Sequence, residues 1–320
     1  MQDKLIARAK ELLAEGKVQK VVGWKKGLFE DDITPAVFNS AEELDKDFVF
    51  NKFCKANLSK YLVKITREIE VAKSTTRMNN TMAKQRDPNA QDKPIPQATV
   101  LVFLKPSDTY SFTQLLKENR ITRGDVYAIG VPCQDTLDGG EVCDNCKNKK
   151  PVSCDELIGI EADVAAVEST RMAEVEKLEH MTADERDAFW KNEFSRCLRC
   201  NACRDICPAC TCEKCVFDNN KLYTSQKVAE TNFEESLFHI IRAWHVAGRC
   251  TDCGECSRVC PQHIPLYLLN RKFIKDINEI YGEYQAGSDM ETKPAMLTFN
   301  AEGDPETTIV YDRSHDKEAE

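Results

Sequence analysis

Eight cysteines in two runs limit what this chain can become. Cys197-Leu-Arg-Cys200-Asn-Ala-Cys203-Arg-Asp-Ile-Cys207-Pro208 and Cys250-Thr-Asp-Cys253-Gly-Glu-Cys256-Ser-Arg-Val-Cys260-Pro261 repeat one pattern. Two residues between thiolates let a tight loop wrap three corners of an iron–sulfur cubane, and the longer step to Cys-Pro carries the chain toward a neighbouring cubane. The spacing predicts two [4Fe-4S] clusters that exchange their last ligands: Cys197, Cys200, Cys203 and Cys260 for one, Cys250, Cys253, Cys256 and Cys207 for the other. Such crossing staples both halves together, so losing one cluster loosens the other. The alternative, a zinc site of four thiolates, has no use for a third cysteine two residues on and a fourth at Cys-Pro, duplicated.

The chain has 320 residues, room for one good core and two or three units, and sixteen cysteines, too many for ordinary packing. Disulfides would explain them in a secreted protein, but the N-terminus, MQDKLIARAKELL, reads as an amphipathic helix charged throughout rather than a signal peptide. No apolar run approaches the length of a membrane span. The expectation is a soluble chain in a reducing cytoplasm. A formal charge of -9 without clustered Lys and Arg argues against nucleic acid and points to a partner protein.

Residues 3–16 carry Leu5, Ile6, Ala9, Leu12 and Leu13 at helical spacing and stop at Gly16. VQKVVGW (18–24) reads as a strand, DFVF (47–50) as another after a charged turn region, and 56–72 as a helix. Residues 73–96 are polar, interrupted by prolines and without a period, which predicts a mobile loop or a segment ordered by a partner. ATVLVFL (98–104), the helix through 113–119 and DVYAIGV (125–131) form a strand-helix-strand crossover, hence an α/β domain.

The second strand of that crossover ends at Pro132-Cys133, and ligands gather beyond the carboxyl ends of strands in open α/β sheets. Cys133, Cys143, Cys146 and Cys154 follow in a stretch with little apolar content, which needs a metal to hold it. A third [4Fe-4S] cluster is expected there, with zinc on the same four ligands as the alternative. Cys54, Cys210, Cys212 and Cys215 remain, and are either a fourth metal centre or free thiols.

Residues 160–194, free of Pro and Gly and periodic in Val164, Val167, Met172, Val175 and Leu178, predict one long helix or two joined near Met181, with Thr182 or Asp184 as the cap. Between the cysteine runs, 232–248 places Leu237, Ile240, Ile241 and Trp244 on one helical face, so the dicluster module is of the helical kind; 264–283 is another helix. His239, His245 and His263 read as core or surface residues, since the thiolates fill the cubanes. Gly254 is placed to let backbone amides approach a cluster.

The phrases VFNKFCKANLSKYL (49–62), LLKENRITRGDVYAIGVPC (115–133) and CDNCKNKKPVSCDELIG (143–159), followed by the two cysteine runs, resemble the iron-sulfur β subunits of the deazaflavin-reducing hydrogenase and formate dehydrogenase family, over roughly residues 17–265. The resemblance implies an electron-transfer subunit of an anaerobe beside a flavoprotein, a hydrogenase, a formate dehydrogenase or a heterodisulfide-reductase-like core, and FAD as a further cofactor. Where such proteins often carry a Gly-Cys-Asp-Ser-Arg-like turn, this chain reads Phe103-Leu-Lys-Pro-Ser-Asp-Thr-Tyr110, and no Gly-x-Gly-x-x-Gly occurs.

The expected architecture is an α/β N-terminal domain plus a mainly α-helical dicluster ferredoxin domain. Residues 1–160 form the α/β domain with its cluster loop at 133–154, 161–194 a helical linker, 195–285 the two-cluster module, and 286–320 an acidic tail disordered in isolation or ordered along a partner. The expected function is electron relay through three or more clusters. A flavoenzyme acting on a deazaflavin or nicotinamide at the α/β domain is the alternative, and a non-catalytic assembly protein a second.

Overall fold

The computed structural model describes residues 1–133, 150–159, 170–218 and 232–294. Its first half is built on a mixed five-stranded sheet in the order β2-β1-β3-β4-β5. The strands are β1 (Lys20–Lys26), β2 (Ile33–Phe38), β3 (Val100–Leu104), β4 (Val126–Gly130) and β5 (Glu156–Leu157), and only the β1–β2 pair is antiparallel. All five residues of β3 are buried, as expected of a central parallel strand covered on both faces. Helix α1 (Gln2–Ala14) buries Leu5, Ala9 and Leu12, the stripe read from the sequence.

Three local expectations are corrected. Residues 47–50 are not a strand: they follow helix α2 (Ala41–Asp47) and touch the sheet through a single bridge, Phe48 to Lys25. The supposed charged turn holds β2, an edge strand whose Pro35 and half-exposed residues mask the period-two signal. Residues 73–86, expected as loop, continue helix α3 (Ser59–Arg86). Lys, Thr, Met, Asn, Gln and Arg tolerate a helix without supplying an apolar stripe, so no period announces it. Lys73 of this extension is anchored in a largely buried ion pair with Asp125, and Asn80 exchanges two hydrogen bonds with the backbone of Lys93.

Helix α4 (Pro106–Lys117) starts seven residues earlier than its apolar period suggests. Pro106 suits the first turn, where its missing N–H costs nothing, but Ser107, Thr109, Ser111 and Thr113 are weak helix formers that hide the element. Those hydroxyl residues are buried against the second half of the chain.

That second half is helical, matching the expected kind of module. Helices α5 (Ala173–His180) and α6 (Ala183–Ser195) meet at Thr182, whose side chain and Glu185 form the expected capping box. Short helices α7 (Ala202–Asp205) and α9 (Glu255–Arg258) lie in the two cysteine runs, followed respectively by α8 (Asn232–His245) and α10 (Leu266–Tyr281). Val175 and Leu178 pack against Tyr267 and Leu268 of α10, and Phe194 joins Cys197, Cys203, Cys256, Ile264 and Leu266 in a second core. The expected tail is in place at its beginning: Ala286 is buried, and Gly287, at φ 73°, lies so close to the Tyr110 carbonyl that a Cβ would stand 1.9 Å from that oxygen. Val164, Val167 and Ile309 to Tyr311 lie outside the described residues. Among the described residues no helix is long and apolar enough to cross a membrane.

Candidate metal centres

The two runs share one backbone plan. Arg199 and Asn201 in the first, and Asp252 and Gly254 in the second, occupy the same positions and all have positive φ, between 52° and 72°. Such left-handed residues turn the loop tightly enough to aim successive cysteines and amides inward, and then launch the short helices α7 and α9.

One cavity is lined by Cys197, Cys200 and Cys203 of the first run and by Cys260 of the second, closed by Phe238, His239, Ile264 and Leu266. Burial pushes the thiol of Cys197 up to about 11 and that of Cys203 up to about 12. His239 Nε2 stands 3.3 Å from Cys197 Sγ, and its ring stacks on Phe194 at 4.7 Å. Burial and the charges of Arg242 and Arg199 lower His239 to about 3, so the ring is neutral and its N–H, not a charge, faces the sulfur. Arg199 pairs with the buried Glu235 at 3.2 Å and lies over the Phe238 ring.

A second cavity is lined by Cys207 of the first run with Cys250 and Cys253 of the second, and by Ser111, Gln114, Leu115 and Glu118 of α4. Cys256, the remaining expected ligand, is buried within electrostatic reach of Cys207 and receives the Asn270 amide at 3.4 Å. Burial raises the Cys250 and Cys253 thiols well above the ordinary range, while a hydrogen bond from Cys210 holds Cys207 low. Thiols this buried would stay protonated alone; a metal is what makes such groups thiolates.

The sulfur spacing bears on which metal fits. Among the described residues no three cysteine sulfurs lie within 4.8 Å of one another; the only such group of ligand atoms is Cys197, Glu235 and His239. Four thiolates on one zinc, each about 2.3 Å from the ion, would stand about 3.8 Å apart. The wider setting suits a cluster with several irons. The donor set is all sulfur, as cubanes require.

The other cysteines are scattered. Cys133 directly follows the β4 edge of the sheet, and Cys154 Sγ lies 3.3 Å from where a Cβ on Gly130 would stand, so both are near the carboxyl end of β4. Cys143 and Cys146 lie outside the described residues. Cys54 is wholly buried in the core of the first half, its thiol raised to about 11 by burial. Cys210, Cys212 and Cys215 sit after the first run, where the Cys210 carbonyl accepts a hydrogen bond from Lys60 of α3. With Cys54 they do not form a ready site for a single ion.

Sequence reasoning missed the seam between the halves. Lys105, at the carboxyl end of β3, is fully buried and donates to the carbonyls of Cys54, Lys55 and Ala56. It also pairs with Asp108 at 3.3 Å and with Glu255 of the second run at 3.8 Å. Ser111 meets Thr251 at 2.7 Å, and Arg249 is paired with Glu118. The only sequence signal was a lysine ending a fully apolar strand; nothing marked its partners. The space beyond β3, where an α/β sheet often receives a ligand, is thus filled by the chain's own charges.

Residues 193–264 match the family described as a 4Fe-4S dicluster domain. The chain is 34% identical over 106 residues to the F420-dependent formate dehydrogenase subunit beta of Methanocaldococcus jannaschii, covering 33% of this chain and 27% of that protein. It is 29% identical over 107 residues to the F420-dependent formate dehydrogenase 1 subunit beta of Methanococcus maripaludis, covering 33% and 26%. The match thus spans about a quarter of the length of each relative. The resemblance read from the cysteine phrases is borne out: this chain carries a 4Fe-4S dicluster domain and is a relative of the iron–sulfur β subunits of F420-dependent formate dehydrogenases.

Proposed function

We propose that the chain is an electron-transfer subunit of a formate-dehydrogenase-like or hydrogenase-like oxidoreductase, working in the cytoplasm beside a flavoprotein or heterodisulfide-reductase-like partner. Cys197, Cys200, Cys203 and Cys260 hold one [4Fe-4S] cluster, and Cys250, Cys253, Cys256 and Cys207 the second. Cys133, Cys143, Cys146 and Cys154 hold a third at the edge of an N-terminal α/β domain. The observation carrying this reading is that each of two cavities is lined by cysteines of both runs. Bound there, the clusters supply one-electron carriage. The protein's part is to keep water out, fix the thiolates and set the local field. His239 and Asn270 face one thiol of each run at 3.3 and 3.4 Å, and hydrogen bonds to ligand sulfur raise a reduction potential. The filled space beyond β3 supports a conductor rather than a flavin enzyme.

Anaerobic isolation of the full chain tests this. The expected result is a brown protein with about eight irons from the two runs and about four more from the third site, giving electron paramagnetic resonance signals after dithionite. A colourless, silent chain overturns the reading. Eight irons with one zinc would remove the third cluster, and stoichiometric flavin released on denaturation would replace the conductor with a flavoenzyme.

A further inference from the structure

Helix α8 turns a polar face inward. Glu235, Phe238, His239, Arg242 and Ala243 are buried, while Leu237, Ile240 and Trp244 are 44%, 47% and 63% exposed. Of the buried polar groups, Glu235 has Arg199 and His239 has Cys197. Arg242 is different. It is 2% exposed, and Nε and both terminal nitrogens have no hydrogen-bond partner. Among the described residues no carboxylate pairs with it.

A guanidinium cannot shed its proton inside a protein, so this residue is a permanent buried cation with every donor idle. A charge in that position is expensive unless an anion stands against it. The groups that face it identify that anion. Burial works against its charge and the thiols of Cys256, Cys203, Cys207 and Cys210 work for it, so it is held more firmly protonated than usual. Cys203 belongs to the first cavity and Cys207 to the second. Cysteine-ligated cubanes are net anionic and bear sulfides that accept hydrogen bonds.

We infer that Arg242 is a shared positioning residue for both clusters: its fixed charge and idle N–H groups serve the two anionic sites together and make each easier to reduce. This rests on the cluster assignment proposed above. An electron passing between the sites leaves one and enters the other with no bond made or broken. Because the guanidinium takes up no proton, its contribution is independent of pH and biases neither direction strongly. Arg242 thereby keeps the two potentials moving as a pair.

Redox titration of the anaerobic full chain, followed by electron paramagnetic resonance, tests this with Arg242→Met, Arg242→Gln and Arg242→Lys. With iron content at the wild-type level, Met and Gln should make both clusters at least about tenfold harder to reduce, about 59 mV for one electron. Lys, which keeps the charge but not the fork, should stay within about threefold of wild type on the same scale. Unchanged potentials in the Met or Gln variants, or a shift in one cluster alone, overturn the inference. If those variants do not load iron, Lys decides: a loaded Lys variant shifted tenfold down at both clusters overturns it. A wild-type chain without clusters would fail the cluster assignment itself, a different result from loaded clusters indifferent to residue 242.

Discussion

Cys197 to Cys207 and Cys250 to Cys260 use one backbone plan in opposite surroundings. In the first run Leu198 is 59% exposed and Cys200 is also exposed. At the matching position of the second run Thr251 is 6% exposed, and the run is fastened to the first half through Thr251–Ser111, Arg249–Glu118 and Glu255–Lys105. Even the ion pairs are reversed in sign: Arg199 reaches back to Glu235 of α8, and Asp252 to Arg271 of α10. Repetition therefore supplied the geometry for the metal, and divergence of the residues between the cysteines supplied direction. The first run faces outward, where a partner can approach; the second faces the α/β half and Cys133.

The largest expected effect breaks the pairing between the runs. With crossed ligands, Cys200→Ser and Cys260→Ser should remove or convert the same paramagnetic signal, and Cys253→Ser and Cys207→Ser the other. Each should lower iron content by up to about four per chain and loosen the surviving cluster. If Cys260→Ser instead groups with Cys253→Ser, each run serves its own cluster and the comparison loses its premise.

Next in size is the anchoring of the second run. Lys105→Met leaves Asp108 and Glu255 buried without their cation, which should cost about 3–5 kcal/mol in denaturant unfolding monitored anaerobically. The same change should weaken the second cluster's retention more than the first's. Equal loss from both would mean that the seam does not single out one run.

The pH dependence sharpens the same point. Burial raises the Asp108 carboxyl to about 6 from an ordinary 3.8. A carboxyl that holds its proton more tightly when folded stabilises the fold as pH falls through 6, and that contribution is lost as pH rises. Asp108→Asn does not titrate, so between pH 5 and 7 the wild type should lose about 1–1.5 kcal/mol relative to the variant. Parallel stability profiles over that window would contradict the assignment.

How much of this was legible follows from what each element needs. The cysteine spacing, β3, β4, α1 and the Thr182 cap were readable because a short-range rule governs each: ligand reach, strand burial, helical period, capping chemistry. The seam was not, because Lys105, Ser111 and Thr251 acquire meaning only when the two halves meet. Helix α8 shows the limit of periodicity: Leu237, Ile240 and Trp244 do share a face, but that face is outward, since the inward one is reserved for Glu235, His239 and Arg242 near the thiols. The extension of α3 was hidden for the opposite reason, having no apolar face to detect.

The smallest expected effect is a matched pair of substitutions at one position of the repeat. Thr251→Val keeps the shape of a buried side chain but removes its hydroxyl from Ser111, which still receives the Asn57 amide at 3.0 Å. The loss should be about 1 kcal/mol, the net worth of one hydrogen bond whose other partner stays satisfied. Leu198→Ala trims an exposed side chain and should change stability by less than about 0.5 kcal/mol. Yet the outward position predicts the reverse order for a partner: Leu198→Ala should slow electron delivery to an added redox protein, and Thr251→Val should not. Stability and delivery changing together at one position would mean that the runs do not divide the work.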